Sequence, residues 1–483
     1  MTRSAEPEPL LIRQAQLLGG ATADVRLRSG EVWAIGDLVP VAGERVIDAG
    51  GGLLLPGLHD HHIHVAASAA ALNSVPCGPP DVMDETALVG ALAQPGTGWL
   101  RGIGYHESVA GMIDRDWLDA AVPDRPARIQ HRSGRMWVFN SAALDLLLTT
   151  ATPPATLEQK GGRWTGRLFD DDSWMRSALA SAPPGFAAVG KLLAGYGITG
   201  ITEMSPANDD GMAGHFAAEH ACGALPQRVL IAGRLELGNR GLDPALALGP
   251  VKIHLHEEHL PPFDEIVMLI HAAHERGRGV AVHCVTEVEL VYTLAALREA
   301  GGHPADRIEH ASIATEASVA DLADLGLPVV AQPHFIAERG DAYRAMIPPD
   351  EWPNLYRLRS LRESGVVLAG GSDAPFGKAD PWAAMAAAVT RKTASEHWLG
   401  ESEALSPEAA LALFLADPRD LARQRRIDRG LPADLCLLAS PWAAVRADLT
   451  SEHVRATLIG GRIVYNRINQ APAQRGPGIN PPA

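Results

Sequence analysis

The sequence predicts an α/β protein: a (β/α)8 TIM barrel with a small sheet built from both chain ends and a large insertion after the first barrel strand. Three observations predict it. Short β-branched runs alternate with helical patterns through the middle of the chain, the mark of βα units on a parallel sheet. Both ends read instead as short strands joined by Gly-rich turns. Residues 66–190 separate the first β run from the second, too long for a connecting loop.

From the N-terminus, "ADVRLRSG", "EVWAIGD" and "RVIDAGG" have the strand period, with Val25/Leu27 and Val32/Ala34 as the apolar pairs. The far end repeats this character in "ADLCLLA" (433–439) and "VRATLIGGRIVYN" (454–466), with a turn at Gly460-Gly461. Residues 1–55 and 430–470 are therefore expected to form one small composite sheet, with the barrel over 56–429. Within that barrel, 66–190 is an insertion large enough for a lid or subdomain, and the Pro/Gly-rich 471–483 reads as a tail. Candidate barrel strands are 53–59, 198–204, 227–233, 250–256, 279–284, 307–311, 328–333 and 366–373. Helical patterns at 263–277 and 318–326 lie between the later ones.

A chain of 483 residues with 20% charged and 46% hydrophobic residues is ordinary globular composition, large enough for more than one domain. Its net charge of −15 argues against a nucleic-acid partner, which needs a basic surface. The start, MTRSAEPEPLL, lacks the features of a signal peptide, and no segment approaches the roughly 20 apolar residues of a membrane span. Four cysteines, Cys77, Cys222, Cys284 and Cys436, lie far apart with no CxxC pair, as in reduced thiols. The expectation is a cytoplasmic enzyme acting on a small molecule, without a membrane or nucleic-acid partner and compatible with a homo-oligomer.

The C-terminal ends of barrel strands host active sites. His62 and His64 lie just past the first run, Lys252 on the fourth, His283 at the end of the fifth, His310 at the end of the sixth and Asp373 at the end of the eighth. A lone strand-end His is ordinarily a hydrogen-bonded structural residue, and a lone Lys ordinarily sits on an exposed face. Six ionisable groups at one level are hard to explain by packing, because unpaired buried charges are costly.

The stretch "PGLHDHHIHV" (56–65) offers four histidines. Side chains alternate along a strand, so the pairs are His59/His61 and His62/His64. Turning the second pair inward leaves Ile63 and Val65 facing the helix layer, where apolar residues belong. His62 and His64 are thus the expected ligands, and His59 and His61 face outward with hydrogen bonds to loops. Four imidazoles and a carboxylate describe a site for one or two divalent metal ions, zinc first. An ammonium would repel a metal, so Lys252 needs another state. Desolvated and neutral, it can react with CO2 to give a carbamate, an anion able to bridge two metals. Asp373 would bind one metal and handle the proton of the bound water.

These residues resemble a known pattern. "PGLHDHHIH" (56–64), "VKI" (251–253), "VAVH" (280–283), "RIEHA" (307–311) and "GSDAP" (371–375) resemble the amidohydrolase superfamily in content and in order. The closer resemblance is to its branch of N-substituted formamide deformylase-like metal-dependent hydrolases, through "DRPARIQHRSGRMWVFNSAAL" (124–144), "TGRLFD" (165–170), "DPWAAM" (380–385), "LSPEAALALFLADPRDLA" (405–422) and "RGLPADLCLL" (429–438). It spans nearly the whole chain. It implies the TIM barrel with a β-sandwich from both ends, and a carboxylated Lys252 bridging the metals. The chain departs from that branch at Ser133-Gly134-Arg135, at Tyr105-His106-Glu107 and after Lys252, where His254-Leu255-His256-Glu257-Glu258 follows. Lys252, His254 and His256 share a strand face, so the two histidines are expected to line the pocket.

The expected reaction is hydrolysis of an amide-type C–N bond by a metal-bound hydroxide, with Asp373 moving the proton from water to the leaving nitrogen. Trp137, Glu203, Gln332, His334 and His254 are the candidates for holding substrate. A cyclic amide, lactone or ester is an alternative substrate for the same hydroxide. A deaminase of the superfamily fits less well, because the third position after His283 is Thr286 rather than Glu. A non-catalytic ligand-binding relative would be expected to have lost a ligand, and none is missing.

Overall fold

The computed structural model describes residues 7–79, 81–179, 183–238 and 245–467. The expected tail at 471–483 lies outside the described residues. The chain divides into two compact units, Met1–Val65 with Phe186–Ala483, and Ala66–Gly185.

In the first unit, eight strands form one sheet: β1 (Leu58–Ile63), β2 (Ile198–Glu203), β3 (Arg228–Gly233), β4 (Leu246–His254), β5 (Val280–Cys284), β6 (Arg307–His310), β7 (Val329–Ala331) and β8 (Leu368–Gly370). Their spatial order follows the chain, and every pairing is parallel. Such strands are covered on both faces, which is why they read as apolar runs. The covering helices carry the matching stripe. Phe263–Glu275 buries Ile266, Ile270 and Ala273, spaced by four and three residues. Glu287–Ala300 starts at a capping box between Thr286 and Glu289.

The sheet closes on itself at the strand exits. Asp373 donates its backbone N–H to His62 O at 2.7 Å, and His64 N–H bonds to Ala374 O at 2.9 Å. This approach requires glycine at Gly371, where a Cβ would lie 2.5 Å from that of His62.

The run at 53–59 is two strands rather than the single one expected. Leu54–Pro56 pairs antiparallel with Leu435–Leu438, whereas β1 pairs with β2. Gly57 separates them, and a side chain there would collide with Thr199. The chain ends form two four-stranded sheets, the β-sandwich that the family resemblance implies, where the strand pattern alone suggested one sheet. Leu10–Gln16, Thr22–Arg28, Glu31–Gly36 and Arg45–Asp48 make the first; Leu54–Pro56, Leu435–Leu438, Val454–Ile459 and Arg462–Asn466 make the second. Each has one apolar face, and the two share a core that includes Ile12, Val25, Leu27, Leu54, Leu435, Leu437 and Leu458.

The second unit has a six-stranded mixed sheet of Val75–Pro76, Leu100–Tyr105, Ala127–His131, Met136–Phe139, Leu157–Lys160 and Arg163–Phe169. Leu88, Tyr105, Leu118, Ile129 and Val138 belong to one of its apolar clusters, and Phe139, Leu144, Leu147 and Leu168 to another. Among the described residues no helix is long and apolar enough to cross a membrane. All four cysteines are free thiols.

Candidate metal centre and active site

The strand exits of the barrel bring the predicted ionisable residues together. His62 Nε2 lies 3.4 Å and His64 Nε2 3.1 Å from the same oxygen, Asp373 Oδ1. One ligand atom from each of the three falls within 4.8 Å of the others, the spacing of a shared cation. The His310 ring centre is 4.8 Å from that of His62, and His283 is 4.4 Å from His310. Lys252 is buried, and its charge acts on His62, His283 and His310.

The backbone is bent to achieve this. His310, Ala311 and Asp373 hold φ of 73°, 45° and 52°, left-handed conformations that non-glycine residues adopt at a cost of about 1–3 kcal/mol each. All three lie at the exits of β6 and β8.

Burial sets the protonation states. It pushes His62 down to about 4 and His310 to about 3, and holds His283 lower still. These rings are neutral near pH 7, the state in which imidazole ligates. Burial alone would raise Asp373, but the hydrogen bond to His64 and the nearby His62 outweigh it and keep the carboxyl well below its usual range. Burial brings the Lys252 ammonium down to about 8.

The other ring nitrogens are tied. His62 Nδ1 is 2.5 Å from Glu309 Oε2, His310 Nδ1 is 2.7 Å from Gln332 Oε1, and His64 Nδ1 is 3.1 Å from Ser205 Oγ. Lys252 Nζ and His310 Nε2 are buried with no hydrogen-bond partner among the described residues. Orphaned buried polar atoms are rare and costly, and a cation with its bridging ligand would satisfy both. The donor set therefore fits a divalent metal.

The residues expected to hold substrate have other duties. Both Glu203 oxygens are committed, Oε2 to Val65 N at 2.7 Å and Oε1 to Ser205 N at 2.9 Å and Asn208 Nδ2 at 3.3 Å. Glu203 braces the loops that follow β1 and β2. Gln332 fixes the His310 ring, and His334 donates Nε2–H to Ser372 O at 2.9 Å. Trp137 lies in the core of the Ala66–Gly185 unit, 5.4 and 5.3 Å from the guanidinium carbons of Arg101 and Arg128. These contacts give the four residues packing and bracing roles, and His334 keeps its buried Nδ1 without a hydrogen-bond partner among the described residues. His254 is exposed, with its ring centre 4.2 Å from His283 and 4.6 Å from His256. His59 bonds Thr202 Oγ1 on β2 at 2.9 Å, not a loop, and both nitrogens of buried His61 are without a hydrogen-bond partner among the described residues.

Two buried acids were not expected from the sequence. Glu309 touches His62, and its signal is a charged residue within the otherwise apolar, buried β6. Asp60 accepts from His62 N at 3.1 Å and Ser372 N at 2.9 Å, fastening β1 to the exit of β8. Burial raises its carboxyl to about 7. A hollow of about 570 Å³ at the opposite, N-terminal end of the strands is lined by Gly249, Asp306 and Arg278 among others. Arg278 there spends its donors on backbone carbonyls.

Comparison with known proteins matches residues 45–465 to the model of the amidohydrolase family. The chain belongs to the amidohydrolase family. It is a hydrolase acting on carbon–nitrogen bonds. This amidohydrolase is 24% identical to the N-substituted formamide deformylase of Arthrobacter pascens, over 94% of this chain and 97% of that one. Its fold is that of an uncharacterized metal-dependent hydrolase from Pyrococcus horikoshii OT3, with a TM-score of 0.77 at 18% identity, covering 92% of this chain and 100% of the other. A second such hydrolase, from Pyrococcus furiosus, gives 0.72 at 21% identity, covering 89% and 99%.

Proposed function

We propose that this amidohydrolase cleaves an amide-type C–N bond of a small molecule at a divalent metal centre, zinc first, held by His62, His64, His283, His310, Asp373 and a carbamate on Lys252. The observation that carries this reading is the convergence of two imidazole nitrogens on Asp373 Oδ1, beside a buried amine and imidazole nitrogen that lack partners among the described residues. When bound there, a divalent cation lowers the pKa of water toward neutrality and polarises a carbonyl oxygen.

The chain's own groups do the rest. Lys252 Nζ, as the neutral amine, adds to the carbon of CO2 and releases a proton, which converts an orphaned buried amine into an anion. Asp373 accepts the proton of the attacking water and returns it to the nitrogen of the leaving amine. Its depressed pKa keeps it ionised before each turnover. His254, exposed beside His283, is the contact offered to substrate. The deformylase relative acts on N-substituted formamides by its name, so N-substituted formamides and simple amides are the first substrates to test.

The test is metal analysis of the purified protein with a turnover screen over formamides, amides, cyclic amides and lactones. Stoichiometric metal with amide turnover is the expected result. Metal without any turnover would overturn the proposal in favour of a ligand-binding protein.

A further inference from the structure

Glu309 lies on β6 next to His310 in sequence, yet its carboxylate reaches His62 across the barrel mouth. Arg307 donates Nε–H to Glu309 Oε1 at 2.6 Å and Nη2–H to His61 O at 2.8 Å. Arg307 and Glu309 are both buried, with Glu309 wholly shielded. A buried ion pair is poor evidence for stability, since apolar residues of similar volume often serve as well or better. The pair's place needs another reason, and its free end supplies one. Oε2 meets His62 Nδ1 at 2.5 Å.

Resting on the metal-centre reading above, we infer that Glu309 is a positioning residue that fixes which nitrogen of His62 faces the cation and strengthens it as a donor, with Arg307 holding Glu309 in place. Each lone pair in this chain of groups must meet a proton. Oε1 is occupied by the guanidinium, and Oε2 offers lone pairs to Nδ1. A lone pair on Nδ1 would face them at 2.5 Å and be repelled, so the neutral ring carries its proton on Nδ1. Nε2 then turns its lone pair toward Asp373 Oδ1, 3.4 Å away, where a cation would sit between them. The neighbouring ligand is tuned differently: His310 gives its Nδ1–H to a neutral amide, Gln332. An anionic acceptor polarises an imidazole more than a neutral one, so His62 is the stronger donor of the two. Gln at 309 has one oxygen for two donors, so Glu309→Gln must give up either Arg307 or His62.

The test uses the full chain, stripped of metal and titrated with Co2+ alone. The wild type should take up Co2+ with a visible absorption band, and Glu309→Gln should bind about 10–100-fold more weakly in chelator competition, with a shifted band. Nitrogen-proton correlation spectra of histidine-labelled wild type, with His62 assigned by its absence in His62→Gln, should show the proton on Nδ1 both without metal and with Zn2+. That second measurement needs no folded Glu309 variant. A wild type that takes up no Co2+ sinks the metal reading itself and this inference with it. Normal uptake with an unchanged Glu309→Gln affinity and band, or a His62 proton on Nε2, overturns the inference and leaves the metal reading standing.

Discussion

His310 gives its Nδ1–H to Gln332 Oε1 across 2.7 Å, and that single bond leaves Nε2 as the nitrogen free to ligate. Removing the acceptor with Gln332→Leu lets the ring rotate and take either tautomer. Metal affinity should fall about 10–100-fold, as is usual when the partner of a ligating histidine is lost. Competition with a chromogenic chelator reads this directly. Unchanged affinity would mean that packing alone orients the ring.

Asp373→Asn keeps the shape of the side chain and tolerates the φ of 52° found there, because Asn enters the left-handed region more readily than most residues. The variant should fold with a near-normal melting temperature. Hydrolysis should fall at least about 10²-fold, the lower end for loss of a positioned acid–base group. Retained turnover would remove Asp373 from proton transfer.

Burial lowers the Lys252 pKa from 10.5 to about 8, so the reactive neutral amine becomes more abundant as pH rises through that value. Reconstitution of metal-free protein with Zn2+ at a fixed dissolved-CO2 concentration should gain about tenfold in rate from pH 7 to pH 9, in line with the neutral fraction. In CO2-free buffer the gain should vanish, and Lys252→Met should show no CO2 dependence. A CO2 effect that persists in Lys252→Met would place the modification elsewhere.

The metal-free protein should be acid-sensitive. Burial depresses His62 and His334 from 6.5 to about 4 and His310 to about 3, so the unfolded chain binds protons below pH 6.5 while the folded chain does not. Their contribution to stability is present above pH 6.5 and is lost as pH falls through 4. For an isolated group, each tenfold loss of proton affinity on folding corresponds to about 1.4 kcal/mol. Thermal melts should show the melting temperature dropping over that window. A flat profile would mean that these rings are not buried neutral.

The barrel was legible because parallel strands covered on both faces must be apolar, so His62, Lys252, His283, His310 and Asp373 stand out against their runs. Glu309 was not legible, because strand alternation assigns adjacent residues to opposite faces. The φ of 73° at His310 departs from strand geometry, and both side chains reach His62. Glu203 and Gln332 have the chemistry of substrate contacts, and only the structure reveals that backbone amides and an imidazole already occupy them. The run at 53–59 hid its division because Leu54–Pro56 and Leu58 are equally buried, and the break is marked only by Gly57.

That glycine couples distant parts of the polypeptide. The strand before it is gripped by Leu435–Leu438, and the strand after it carries His62 and leads into His64. A truncation ahead of Leu435 would leave Leu54–Pro56 without its antiparallel neighbour at the very root of β1. Damage near the carboxyl terminus would then register first as weakened cation retention.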